Sequence, residues 1–367
     1  MAGQEIRVGA DRLTQMVARI FAATGADATE AKAIAGNLVE ANLAGHDSHG
    51  VLRTPRYLLW ESQGILVFGK SVETVMEAPG FALLDGDHGF GQTIGPQAVD
   101  IGVAKARDNG FALIGLRRAG HLGRIGALAE LACAEGLVSI HFVNVANSVL
   151  VAPFGGAERR MSTAPVCIGV PNPDGDFILD FATSHVAEGK VLVARNAGVP
   201  APPGSLIGAD GAATTDPDAL YGPARPGVVD DPRSGPGALA PMGMHKGSGL
   251  ALACELLAGA LTGSGPATEG RTKRSHNGML SIYLDPALMD DGHGWAASVA
   301  GYIAHVRACM PADPETPVMV PGDPERNRRA ERLADGLALA PEVWESLLAA
   351  GESKGLDREG LAALAGV

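Results

Sequence analysis

Aromatic side chains are scarce in this chain, at 4% of 367 residues. Any core must therefore be filled by aliphatic side chains and alanine. Cations are outnumbered too, 29 Lys and Arg against 41 Asp and Glu, for a net charge of −12. An acidic surface without a basic cluster repels phosphate backbones and argues against a nucleic-acid partner. The short basic spots Arg117-Arg118, Arg159-Arg160 and Arg326 to Arg329 read as solvated surface. Cys133, Cys167, Cys254 and Cys309 include no C-x-x-C pair, which leaves small buried thiols in a reducing compartment rather than a disulfide framework or zinc site. No apolar leader opens the chain, and the longest apolar stretch, 249–261, is broken by Glu255 and too short for a bilayer. A cytoplasmic protein with no membrane contact is expected. The dinucleotide fingerprint G-x-G-x-x-G is absent as well. Gly89-Phe90-Gly91-Gln92-Thr93-Ile94-Gly95 has one residue too many, and the next strand, 111–116, is followed by Arg117 rather than an acidic residue. A turn feeding a helix explains those glycines equally well. His46 and His49, with His88 and His121, fit no zincin spacing, so no metal is expected.

Apolar residues make up 46% of the chain, with 50 Gly and 24 Pro scattered without a repeat. That is enough to build two or three lobes rich in tight turns. Helical spacing marks 11–24, with Leu13, Met16, Val17, Ile20 and Phe21 on one face. Asp27 and Glu30 open a second helix as a capping box, running to Ala44. A third starts after Ser48. Strands are predicted at 81–84, 111–116, 138–145, 165–170, 177–180 and 279–284. Helices are predicted at 96–109, 125–135, 187–197, 246–261, 295–308, 323–333 and 341–350. The class is mixed α/β. Residues 199–241, rich in Pro, Gly and Asp, read as a long surface excursion, mobile or against a partner subunit.

Four segments could carry chemistry. In His46-Asp47-Ser48-His49-Gly50-Val51-Leu52-Arg53, a Ser48 cap would put His49 and Arg53 on one helical face. Arg53 could clamp a carboxylate and His49 could move a proton. The same segment reads equally as a capped surface helix. Gly120-His121-Leu122-Gly123-Arg124-Ile125-Gly126 joins a strand to a helix, where free amides suit anions. Asp180-Phe181-Ala182-Thr183-Ser184 presents hydroxyls after a strand, or is an N-cap with Glu188. Lys246, in Gly243-Met244-His245-Lys246-Gly247, sits at a glycine-flanked helix start, yet the P-loop pattern is not met.

The order of HDSHGVLR (46–53), DGDHGFGQ (85–92), AGHLGRIG (119–126), PFGGAERRMSTAP (153–165), LDFATSHVAEGK (179–190), DGAATTDP (210–217), PMGMHKGSGLAL (241–252) and LDP (284–286) resembles the malate/L-lactate dehydrogenase-like oxidoreductases. Members of that family include ureidoglycolate dehydrogenase, L-sulfolactate dehydrogenase, 2,3-diketo-L-gulonate reductase and Δ1-piperideine-2-carboxylate reductase. The resemblance implies an N-terminal helical region (1–75), a nicotinamide-binding domain with a mixed, non-Rossmann sheet (76–290), and a C-terminal helical region (291–367) packed on the first. It also implies a homodimer, NAD or NADP as cofactor, and hydride transfer on a 2-hydroxy or 2-oxo acid. A cyclic imine carboxylate reductase is the alternative within the family, and a non-catalytic cofactor-binding relative the alternative outside enzymes.

Carried over by position, His49 is the proton donor paired with Ser48, Arg53 holds the substrate carboxylate, and Thr163 contacts substrate. His121 is a proton acceptor or a cofactor contact. Asp180, Ala182, Thr183, His245, Lys246 and Arg329 are cofactor contacts. Lys190 stands where imine-reducing members can carry an Asp, which favours oxo-acid chemistry. Two departures stand out: Ala164 where the family usually has Asn, and Met244 where it usually has Gly. The loop at 221–236 also looks longer than usual.

Overall fold

The computed structural model describes residues 5–223, 233–268 and 274–367, so most of the long 221–236 loop lies outside the described residues. At the centre is a seven-stranded sheet. Its order across is Glu73–Ala78, Phe81–Asp85, Phe111–Ala119, His276–Leu284, Val138–Ala146, Val166–Val170 and Phe177–Phe181. Phe81–Asp85 and Phe111–Ala119 run parallel. The other neighbouring pairs are antiparallel. The late strand His276–Leu284 is inserted between two early ones and buries Met279 and Tyr283. It begins three residues before its predicted start. Its polar opening, His276-Asn277-Gly278, pairs along Val138–Ala146, and Asn277 also pairs with Ala119 before a bulge. The edge strand Glu73–Ala78 has no sequence signal because all six residues are exposed and show no alternation.

Helices Gly91–Asn109 and Gly126–Ala134 pack on this sheet and close an aliphatic core of Ile94, Ala98, Ile114, Leu116, Leu128 and Met279. A second core joins the two ends of the chain. Leu13, Ile20, Phe21 and Leu38 meet Trp344, Leu347, Leu348 and Leu361, and strand Ile6–Val8 pairs with Leu337–Leu339. A third core, with Val151, Leu206, Tyr221, Leu239 and Cys254, lies beneath residues 199–241. The described residues of that stretch form a small three-stranded sheet and the short helix Asp218–Tyr221, more regular structure than their composition suggests.

Several local expectations are corrected. Asp27 caps its helix, accepting from the amides of Thr29 (2.8 Å) and Glu30 (2.9 Å), but the Glu30 carboxylate turns away to accept from Gly69 N. The helix predicted after Ser48 begins at Thr54, with Pro55 in its first turn. Two 3₁₀ turns, Asp47–His49 and Val51–Arg53, precede it, and Ser48 caps nothing. Arg159 is not solvated surface: it is partly buried and bonds four backbone carbonyls. Arg117 and Arg118 share the buried Asp85. Cys309 is exposed, whereas the other three thiols are buried. Among the described residues, no helix is long and apolar enough to cross a membrane.

Candidate active site

A cavity of about 400 Å³ lies where the 46–53 turns, the 120–125 turn and the 180–190 segment converge. Its walls include Ser48, His49, Arg53, His121, Thr163, Asp180, Ala182 and Lys190, eight residues singled out from sequence and scattered over 143 positions. Local sequence explains the 46–53 shape. Asn42 accepts from Val51 N through Oδ1 (2.8 Å) and donates to Asp47 through Nδ2 (2.6 Å). A Cβ at Gly50 would come within 2.2 Å of that amide, so only glycine lets the turn close. Ser48 Oγ lies 3.2 Å from His49 Nδ1, and Arg53 Nε donates to Ser48 O (2.6 Å). His49 and Arg53 therefore converge through a folded turn, not through helical i,i+4 spacing.

His49 and His121 stack, with ring centroids 5.6 Å apart and planes 10° from parallel. Burial first, then the Arg53 charge, lowers the His49 pKa to about 3 and holds His121 well below 6.5. Both rings are neutral at neutral pH before ligand binds. His121 is held from behind. Gln92 Nε2 donates to His121 O (3.0 Å), which can only accept, and this fixes the amide's orientation. The same nitrogen donates to Tyr57 OH (3.0 Å), and the phenol lies 2.7 Å from His121 Nδ1. The phenol proton is thus directed at Nδ1, leaving the His121 proton on Nε2. Burial pushes the Tyr57 pKa up to about 12, so it stays a phenol.

Two carboxylates line the cavity. Asp180 accepts from Gly126 N (2.6 Å), with its pKa raised by burial, and His46, also in the lining, bonds Glu325 (3.1 Å). Glu188 takes a two-pronged contact from Arg233, at 2.6 and 2.9 Å, and one from Tyr221 OH. Burial would raise the Glu188 pKa, but Arg233 and Arg53 hold it below the usual carboxylate range. Glu188 is therefore not part of a capping box. Ser184 Oγ instead donates to Val186 O. Ile125, Val145, Leu150 and Phe181 add apolar side chains to the lining.

Four expected cofactor contacts do not line this cavity. Thr183 is buried behind it, donating through N and Oγ1 to Thr163 O. His245 and Lys246 are exposed at their helix start. Arg329 is engaged by Glu40 and Glu130. The glycines of the 120–126 turn serve packing: a Cβ at Gly120 would be 2.5 Å from Gly89 O, and one at Gly91 would be 2.2 Å from His121 O. Sequence reasoning passed over Gln92, Tyr57, Glu188 and Arg233 as site residues. The first two sat in turn or helix patterns, and Glu188 and Arg233 meet across 45 positions.

The sequence pattern of the malate/L-lactate dehydrogenase family matches residues 8–348. The chain belongs to the malate/L-lactate dehydrogenase family. Relatives within it include hydroxycarboxylate dehydrogenase B of Escherichia coli strain K12, 38% identical over 97% of each chain. L-lactate dehydrogenase of Cupriavidus necator is 36% identical over 91% of this chain and 93% of its own. The solved structure of sulfolactate dehydrogenase from Methanocaldococcus jannaschii superposes with a TM-score of 0.83 at 28% identity, covering 97% of this chain and 99% of its own.

Proposed function

We propose that this member of the malate/L-lactate dehydrogenase family is an oxidoreductase of CH–OH groups that interconverts a 2-hydroxy acid and its 2-oxo acid with NAD or NADP. The observation that carries this reading is the stacked His49–His121 pair beside Arg53 in one cavity. Arg53, its Nε already spent on Ser48 O, orients the substrate carboxylate with Thr163. In the oxidising direction the substrate hydroxyl gives its proton to the neutral His49, and the carbinol C–H leaves as hydride. The reverse direction returns that proton to the carbonyl oxygen. His121, fixed by Tyr57 as the Nε2–H tautomer, steadies the developing oxyanion. The apolar side chains of Ile125, Val145, Leu150 and Phe181, in the same cavity as the two imidazoles, suit a nicotinamide ring, which when bound would supply or accept the hydride. Asp180 and Ala182 would hold the cofactor at the cavity. Thr183 would act through Thr163, and His245, Lys246 and Arg329 would reach the cofactor's distal parts. Lys190, at the mouth, favours anionic oxo acids over cyclic imines.

The shared N- and C-terminal core supports a three-part division at about residues 75 and 290. The mostly antiparallel sheet supports a nicotinamide site outside the doubly wound pattern. A cytoplasmic homodimer completes the reading.

The test is loss of NADH or NADPH absorbance with a panel of 2-oxo acids. Turnover is expected on at least one, and His49→Ala should lower kcat by about 10²- to 10⁴-fold. A kcat within twofold of wild type would remove His49 from proton transfer.

A further inference from the structure

The apolar run at 249–261 is broken by one carboxylate, Glu255, and the fold buries that side chain. At this residue helix His245–Cys254 passes into the π-helical segment Glu255–Leu261. Such wide turns are uncommon and recur at functional sites. Glu255 does not line the cavity. Its oxygens accept from four donors. Ser162 N (3.2 Å) and Ser162 Oγ (2.6 Å) meet Oε1, while Asn144 Nδ2 (3.0 Å) and Ala267 N (2.7 Å) meet Oε2. Those four fill the acceptor sites of a carboxylate. Asn144 is fixed in turn: it donates to Gly265 O (2.9 Å) and accepts from Gly278 N (3.1 Å). A Cβ at Gly259 would lie 2.6 Å from Asn144 Nδ2, so glycine lets the π-helical segment close on that amide. The network thus pins Ser162, and the next residue, Thr163, stands in the cavity lining. Thr163 O accepts from Thr183 N (3.0 Å) and Oγ1 (3.1 Å). Thr163 is therefore held at its own carbonyl by Thr183 and at the preceding residue by Glu255.

We infer that Glu255 is a positioning residue, which through Ser162 sets where Thr163 meets the substrate carboxylate without touching substrate itself. This rests on the oxo-acid reading above, in which Thr163 and Arg53 share that carboxylate. All four partners of Glu255 donate. An amide of the same shape would turn its NH₂ toward donors on one side, and the backbone at Ser162 or Ala267 would have to move. A hydrogen bond weakens steeply with misalignment, so a small shift of Thr163 loosens its grip on substrate.

The experiment measures KM for pyruvate, oxaloacetate and 2-oxobutyrate, and the dissociation constants of NADH and NADPH by nicotinamide fluorescence. KM does not depend on how much of the enzyme is folded, so a purely structural role would leave it unchanged. Glu255→Gln should raise KM about 10-fold on each acid that wild type reduces, with coenzyme binding within twofold of wild type. Thr163→Val should raise KM as well, and adding Glu255→Gln to it should change KM less than twofold further, because both act through one contact. If Glu255→Gln does not fold, Ser162→Ala, which removes one of the two Ser162 bonds, should raise KM about threefold with the same coenzyme affinity. A wild-type KM in Glu255→Gln, or in Ser162→Ala where that is the variant measured, would overturn the inference and leave the oxo-acid reading standing. So would a KM increase of equal size in the Thr163→Val background. Silence of wild type on every 2-oxo acid would overturn that reading and this inference with it.

Discussion

Two stacked imidazoles within reach of Arg53 would repel each other if both were charged, and the site avoids this by keeping both neutral. An arriving anionic substrate offsets the Arg53 charge, which makes protonation of one ring affordable when an oxo acid is to be reduced. The less obvious residue is Tyr57. Its phenol, accepting a hydrogen bond from Gln92 and donating one to His121, assigns the tautomer of a ring whose other nitrogen faces the chemistry. Tyr57→Phe leaves the apolar packing intact and removes that assignment. It should lower kcat by about 10- to 100-fold with KM nearly unchanged, and shift the acid limb of the kcat–pH profile. A profile superimposable on wild type would reduce Tyr57 to packing. Tyr57 falls within the helix predicted after Ser48, but nothing in the sequence marks it as a partner of His121. The two lie 64 positions apart, and no spacing rule reaches that far.

At the scale of elements, the 46–53 segment and the 241–247 turn illustrate opposite uses of backbone geometry. The first depends on Gly50 and Asn42 to fold a turn tight enough to bring His49 back over Arg53. Cap and helix signals predicted a regular helix there, because they register local preference and not the grip of Asn42 from the preceding helix. In the second, Met244 adopts φ 58°, ψ −112°, a conformation that side chains resist. Its side chain is exposed, so little packing compensates. Met244→Gly should stabilise the protein by about 1 kcal/mol, read as a higher urea midpoint at unchanged slope. An unchanged or lower midpoint would mean that the Met244 side chain contributes more than its backbone costs. Ala164 also has a positive φ, at 35°, a conformation that asparagine tolerates better than alanine.

For the whole molecule, buried histidines set the acid limit. Burial lowers the pKa of His141 to about 4, and burial with neighbouring positive charge lowers His88 to about 4 and His49 to about 3. The unfolded chain takes up these protons near 6.5 while the folded chain refuses them. Stability is therefore full above about pH 6.5 and falls as pH drops toward 4, by about 1.4 kcal/mol per pH unit for each such histidine. Denaturant midpoints measured from pH 7.5 to 4.5 should decline accordingly, and a flat series would contradict the neutral buried rings. The outer surface carries an apolar ridge of Leu252, Leu256 and Leu261 on one helical stretch, each more than half exposed. On the homodimer reading a second copy of this chain covers it, and light scattering at micromolar concentration should give twice the 37.4 kDa chain mass. A monomer at that concentration would contradict the homodimer.

Local pattern along the chain carries the mixed α/β class, most helices and strands, the family, and eight of the residues that line the cavity. Each of these is written in local periodicity or in short contiguous motifs, where neighbouring positions interact directly. Tertiary structure alone decided which motif residues converge. It set Thr183, His245, Lys246 and Arg329 outside the cavity lining, turned the Glu30 and Glu188 carboxylates from capping to long-range partners, and brought Gln92 and Arg233 to the site. The physical reason is that charge pairing, burial and hydrogen-bond direction depend on distance in space. In a sheet whose last strand is inserted between its early ones, nearness in space has little to do with nearness along the chain.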